Sequence, residues 1–157
     1  MHLILRSAEL DLHTKRQKQI KNLLDWLPMH FGANLQIADL KTKYRRASHR
    51  PINPSRKYNC HGLTFAARRT WIEEPTEIKK IIEDDEYVEV RREQVLPGDV
   101  VVYYVGGDAE HSGIVVGRDD FAGPLVLSKW GTLHEVIHFV PECPYDAGNV
   151  VFYRILS

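Results

Sequence analysis

From Tyr87 onward the chain alternates short apolar runs with turn residues, and this rhythm constrains the fold more than any other feature. "YVEVRRE" alternates at period two, "VVVYYV" is a continuous β-branched and aromatic run, and "HSGIVVG", "LVLSKW", "HEVIHFV" and "NVVFYRIL" follow. Between them stand "LPGD", "GGDAE" and "RDDFAGP", which carry the Gly, Pro and Asp of tight turns or loops. Helical patterns lie upstream of this run of strands, and that order is the α+β layout.

Four upstream segments read as helical or extended. Residues 12–31 place Ile20, Leu23, Leu24 and Leu27 on one stripe at i, i+3, i+4, i+7, with Lys and Gln opposite, and Pro28 and Gly32 suggest the end of that helix. The next stretch is polar and punctuated by Pro51 and Pro54, a linker or extended arm. "CHGLTFAARRTWI" fits a helix buried on one side through Leu63, Phe65, Ala66, Ala67 and Trp71, and Pro75-Thr76 can open a second through "EIKKIIEDD" with Thr76 as cap.

Composition excludes several classes. A chain of 157 residues supports one domain with a real core, and 43% apolar content argues against disorder. Its 2 cysteines do not make a disulfide framework, and no window approaches the roughly 18–20 apolar residues of a membrane span. The opening "MHLILRSAELDLH" lacks a basic start, a long apolar stretch and a small-residue cleavage site. The expectation is a chain that is cytoplasmic as encoded, or exported by a specialised secretion system. Net charge is zero, yet the first 60 residues hold 12 of the 21 bases and 4 of the 21 acids. "KTKYRRASHRPINPSRK" (41–57), with Arg45, Arg46 and Arg50, is either a solvated basic face or a surface for an anionic polymer.

Cysteine chemistry needs a thiolate, a base within reach and a group to orient the base. Cys60 stands at a helix start, where free N–H groups favour a thiolate, and its own N–H could serve a developing oxyanion; Gly62 leaves room for close backbone approach. His111 opens "HSGIVVG" beside Ser112 and Gly113, the end of a strand facing a groove. A metal site from Cys60, His61, His111 and Cys143 lacks ligand spacing, and His134 and His138 would stand about 13 Å apart along a strand. Cys143, between two prolines, reads as a non-catalytic thiol, and Asp99 in "PGD" as a turn-shaping side chain. No cofactor is expected.

"YNCHGLTF", "LPGDVVVYY" and "HSGIVVG", in that order over roughly residues 57–130, resemble the NlpC-type papain-like cysteine peptidases. The resemblance implies a papain-like α+β core with the cysteine helix packed on an antiparallel sheet (residues 46–157), preceded by a helical extension (residues 1–45), the whole one compact unit. It implies an amide-cleaving hydrolase with Cys60 as nucleophile and His111 as base, acting on a peptidoglycan peptide or similar substrate. Asn59 and His61 replace the family's Asp and Ser beside the nucleophile. Ser128 falls in the slot of the third polar residue, with His134 or a backbone carbonyl as alternatives; Lys129, a cation, would point to the opposite face. Tyr58, Asn59, His61 and Trp130 are the candidate substrate contacts, Tyr58 and Trp130 being open to a packing role. An acyltransferase or thioesterase on the same fold, or a silent binding module that keeps it, are the rival expectations.

Overall fold

The computed structural model describes residues 7–25, 29–51 and 54–156. In chain order the elements are β1 (Ser7–Ala8), β2 (Leu24–Asp25), α1 (Ala33–Lys43), β3 (Ser48–His49), α2 (Cys60–Ala66), α3 (Pro75–Asp84) and β4 (Tyr87–Val90). Five strands complete the chain: β5 (Val100–Val105), β6 (Asp108–Asp119), β7 (Gly123–Lys129), β8 (Glu135–Phe139) and β9 (Val150–Ile155). β1 pairs with β2 alone, and the other seven strands form one antiparallel sheet ordered β3-β8-β7-β6-β5-β9-β4. The architecture is α+β, and among the described residues no helix is long and apolar enough to cross a membrane.

β5 is buried on both faces, and its alternation sorts the core. Val101 and Tyr103 join Val115, Val126, Trp130, Val136 and Phe152 on one side. Val100 and Val102 join Ala66, Ile72, Ile78 and Ile81 on the other, beneath α2 and α3. Period-two geometry makes these opposite faces of one sheet. α2 lies on β6 and β7, α3 on β6 and β4. Leu40 and Tyr44, from α1 and the residue after it, pack against the first cluster.

Local chemistry explains most boundaries. Gly106 and Gly107 take φ of +59° and +85°, the left-handed pair that turns β5 directly into β6. "GGDAE" is therefore not a loop throughout: Asp108 to Glu110 already belong to β6. "RDDFAGP" likewise contributes to both strands of its hairpin, and Asp119 Oδ1 accepts from the N–H groups of Phe121 and Ala122 in the turn. Pro75 occupies the first position of α3, where its missing N–H costs nothing. Glu74, not Thr76, is the N-cap, and Thr76 lies exposed one residue inside.

The expected helix over 12–31 does not form. Its described part is extended: Ile20 N–H donates to the Leu12 carbonyl at 2.7 Å, Thr14 N–H to Lys18 at 2.9 Å, and Leu23 pairs with Trp71 in both directions. Leu27 and Pro28 lie outside the described residues. The reason is tertiary, because α3 presents acids to this strap. Thr14 Oγ1 donates to Asp84 at 2.8 Å, Lys18 Nζ to Asp84 at 3.1 Å, and Lys21 N–H to Glu77 at 3.0 Å, while Ile20 inserts beside Ile78 and Ile81. Cations that a helix would leave to solvent are thereby paired. Gly32 begins a helix instead of ending one, and the proline-punctuated stretch contributes β3, which pairs with β8.

Candidate active site

Asn59 builds the start of α2. Its Oδ1 accepts from Gly62 N–H at 2.9 Å and from Ile72 N–H at 3.1 Å, and its Nδ2 donates to the Ile72 carbonyl at 2.7 Å. That clip ties the helix start to the Thr70–Ile72 strap and occupies the amide oxygen twice and one N–H of the amide nitrogen. Asn59 is thus a structural cap rather than a free substrate contact, although it borders the cleft. Gly62 is required by space, since a Cβ there would lie 1.8 Å from the Thr70 carbonyl oxygen.

Cys60 is 6% exposed and opens on a cleft of about 340 Å³ lined by His61, Trp71, Glu73, Glu110, Gly131 and Tyr145, among others. Burial alone would push the thiol up. The imidazoles of His61 and His111 outweigh that and hold it well below its ordinary range. Sequence reasoning placed both histidines near the thiol but gave only His111 a part in its chemistry.

The two histidines are held in opposite ways. Register puts His111 opposite Tyr103 and Ala109 opposite Tyr104, which leaves Glu110 unpaired in a bulge. A bulge re-aims the residues around it. The Ala109 carbonyl here accepts from His61 Nε2 at 3.0 Å, while Ser112 Oγ meets His61 Nδ1 at 2.7 Å. His111 is not at an exposed strand end, for it is the fourth residue of β6 and fully buried. Its ring stacks face to face on Tyr145, centroids 3.6 Å apart and 6° from parallel, and meets the Tyr103 edge at 5.0 Å. Among the described residues neither ring nitrogen has an aligned hydrogen-bond partner, and the ring lies near enough to Cys60 to lower its thiol. Burial lowers the pKa of His111.

Ser128 does not hold His111. It pairs with His138 Nε2 at 2.6 Å and accepts from the Trp130 indole at 3.2 Å. His138 Nδ1 donates to the Phe139 carbonyl at 2.8 Å, which leaves Nε2 as acceptor and makes His138 a neutral ring. His134 is likewise engaged elsewhere, with His49 Nδ1 at 2.7 Å. Trp130, 2% exposed among Tyr44, His49, His134 and His138, is core rather than cleft. What orients His111 is the Tyr145 face, a contact between two loop-separated residues that no spacing announces.

Tyr58 also points inward. Its hydroxyl donates to Glu135, which is buried and gripped by Arg68 through bonds of 2.6 and 2.9 Å, with Arg50 at 4.0 Å. Lys129 Nζ lies 4.8 Å from the Tyr58 ring and donates to the carbonyls of Ser55 and Gly131 at 2.6 and 2.8 Å. Burial lowers this lysine to about 8. Within the basic segment, Arg46 pairs with Glu142, Arg50 with Glu135 and Arg56 with Asp25. Cys143 is free and buried, its Sγ facing the Val140 and Tyr145 carbonyls, and Asp99 accepts from Leu96 N–H at 2.7 Å and pairs with Arg154. Among the described residues no three His, Cys, Asp or Glu side chains gather to hold a metal ion.

This chain matches no protein-family model, no curated protein and no solved structure.

Proposed function

We propose that the chain is a cysteine hydrolase with an NlpC-type papain-like core, cleaving an amide bond in a peptidoglycan peptide or similar substrate. The observation that carries the reading is Cys60, at the start of a helix laid on an antiparallel sheet, with imidazoles beside it and a cleft in front. In this mechanism the Cys60 thiolate attacks the carbonyl carbon and the tetrahedral adduct forms. His111 takes up a proton from solvent as negative charge builds on the adduct, gives it to the leaving amine, then accepts the proton of the water that resolves the acyl-enzyme and returns it to solvent. A buried, neutral His111 suits the base role, since a ring already protonated cannot accept the proton of water.

The test is hydrolysis of muropeptides and simple aminoacyl amides. Cys60→Ser is expected to lose about a thousandfold or more, and His111→Ala at least about a hundredfold, within the ranges for removing a nucleophile or a general base. Full activity in Cys60→Ser overturns the reading. The absence of a hydrogen-bond partner on His111 favours one rival, a silent binding module that keeps the fold. That rival predicts ligand retention with no acyl-enzyme, which mass spectrometry after incubation with an activated ester distinguishes.

A further inference from the structure

The charge state of His61 follows from counting protons along one hydrogen-bond chain. The Cys60 carbonyl only accepts, so Thr64 Oγ1, at 2.9 Å, spends its one proton there. Thr64 Oγ1 therefore accepts from Ser112 Oγ, also at 2.9 Å, and the Ser112 proton is spent in turn. The 2.7 Å contact between Ser112 Oγ and His61 Nδ1 is then a bond only if Nδ1 carries a proton. On the other side of the ring the Ala109 carbonyl has none to give, so Nε2 donates as well, at 3.0 Å. Both ring nitrogens are donors, and a ring with two N–H groups is an imidazolium.

A cation at 2% exposure needs a counter-charge. The groups that face His61 are Cys60 from α2, and Glu110 and His111 from β6. Glu110 is exposed on the cleft rim and His111 is neutral, whereas Cys60 is its immediate neighbour and buried with it. Lys129, from β7, adds a second positive charge on the Cys60 side.

We propose that His61 is a standing imidazolium whose counter-ion is the Cys60 thiolate, so that the resting site is an ion pair and His111 is free to carry protons. The two imidazoles divide the work: His61 keeps the sulfur ionised and His111 moves the proton of water. The catalytic half of this statement rests on the hydrolase reading; the ion pair does not. His61 is a positioning residue, acting through the thiol. Its raised pKa, against a burial that would lower it, agrees with the proton count.

The experiment is long-range ¹H–¹⁵N NMR of the histidine rings in the full chain, with Cys60 alkylation followed against pH. At pH 7, His61 is expected to show both nitrogens protonated, and in Cys60→Ala to lose one proton at least one pH unit earlier than in the parent. In His61→Gln the midpoint of Cys60 alkylation rises by a unit or more, which cuts the rate about tenfold at pH values below the parent midpoint and leaves the high-pH plateau in place. A purely structural role lowers rate at every pH and leaves the midpoint fixed. A single protonated nitrogen on His61 in the parent at pH 7 overturns the proposal even if the variant fails to fold. An ion pair without amide hydrolysis leaves the proposal standing and sinks the hydrolase. Hydrolysis through Cys60 beside a neutral His61 does the reverse.

Discussion

Cys60 and Cys143 are both free, both 6% exposed, and opposite in chemistry. Burial pushes the Cys143 thiol up, and its weak sulfur contacts to the Val140 and Tyr145 carbonyls do not reverse that. Burial pushes Cys60 the same way and loses to two imidazoles. Equal exposure thus goes with a raised thiol in one place and a lowered one in the other. What decides is the company of each sulfur: carbonyls that only accept beside Cys143, rings that can hold positive charge beside Cys60. The same split runs through the sheet. The α2 side carries the charged groups Glu135, Arg68 and Lys129, while the other holds Trp130 and the neutral His138.

The largest expected effect tests the two thiols directly. At pH 6 an iodoacetamide probe should alkylate Cys60 at least about a hundredfold faster than Cys143, because only a lowered thiol is substantially ionised there. Peptide mapping of partly labelled protein reads the ratio. Equal labelling would erase the contrast between the two sites.

Next in size is the acid response of the Cys143 side. His134 and His138 are both lowered to about 4, by burial first, with His49, Lys41 and Lys129 adding to it at His134 and the bond to the Phe139 carbonyl opposing it at His138, and both must stay neutral to keep their places. Their ordinary value is near 6.5, so between about pH 6.5 and 4 the unfolded chain binds protons that the folded chain refuses. Stability is complete above that window and falls as pH drops through it, by on the order of 3 kcal/mol for each ring. Urea unfolding at pH 7.5 and 4.5 measures the loss. A midpoint independent of pH would mean that these rings are not buried as described.

Much of the sheet was legible because β-branched runs and Gly-Gly or Pro-Gly turns act locally. "VVVYYV" is β5 to the residue, and "LPGD" turns where Asp99 accepts from Leu96 N–H. The strap over 12–25 was not, since its apolar stripe is as consistent with a helix as with a chain pinned by Asp84 and Glu77, acids 70 and 56 residues from their partners. A signal for α1 was present: Ala33, Ile37, Leu40 and Tyr44 fall at i, i+4, i+7 and i+11, a narrow stripe among polar residues. In the site, Cys60 at the start of α2 could be read from local pattern, whereas the burial of His111 inside β6 could not, because the bulge at Glu110 and the Tyr145 ring that produce it are tertiary. The Tyr145 stack, the Ser128–His138 pair and the proton chain through Thr64 and Ser112 depend on tertiary contacts between distant residues, which no spacing encodes.

Tyr145 sharpens the comparison because it touches both sites, its ring on His111 and its carbonyl near Cys143. Among the described residues Tyr145 is the one ring stacked on His111, so under the proposed hydrolase Tyr145→Leu should lower kcat about tenfold through loss of base orientation. Tyr145→Phe keeps the face and should restore most of the rate. The backbone contact to Cys143 survives both, so labelling of that thiol should stay slow. A phenylalanine variant as slow as the leucine one would shift the role from ring to hydroxyl.

The smallest effect concerns the end of the Cys60 helix. Ala67 and Arg68 sit side by side at φ +50° and +64°, in the left-handed region that costs a side-chain-bearing residue about 1 kcal/mol or more. The turn they make brings Arg68 N–H to the Gly62 carbonyl at 3.1 Å and its guanidinium onto Glu135. Arg68 uses its strained backbone to place a charge, but Ala67 contributes only a methyl group at a position where glycine is the usual helix terminator. Ala67→Gly should therefore stabilise the fold by about 0.5–1 kcal/mol, the gain from relieved strain exceeding the entropy that glycine adds to the unfolded chain. In a chain of this length that amounts to a rise in Tm of about 2–4 °C at the upper end. Because Asn59 fixes the other end of α2 independently, the Cys60-to-Cys143 labelling ratio should not move. Arg68→Gly relieves the same backbone strain yet leaves Glu135 buried with less of its charge compensated, so it should lower stability, and the opposite signs at adjacent residues separate backbone strain from ion pairing.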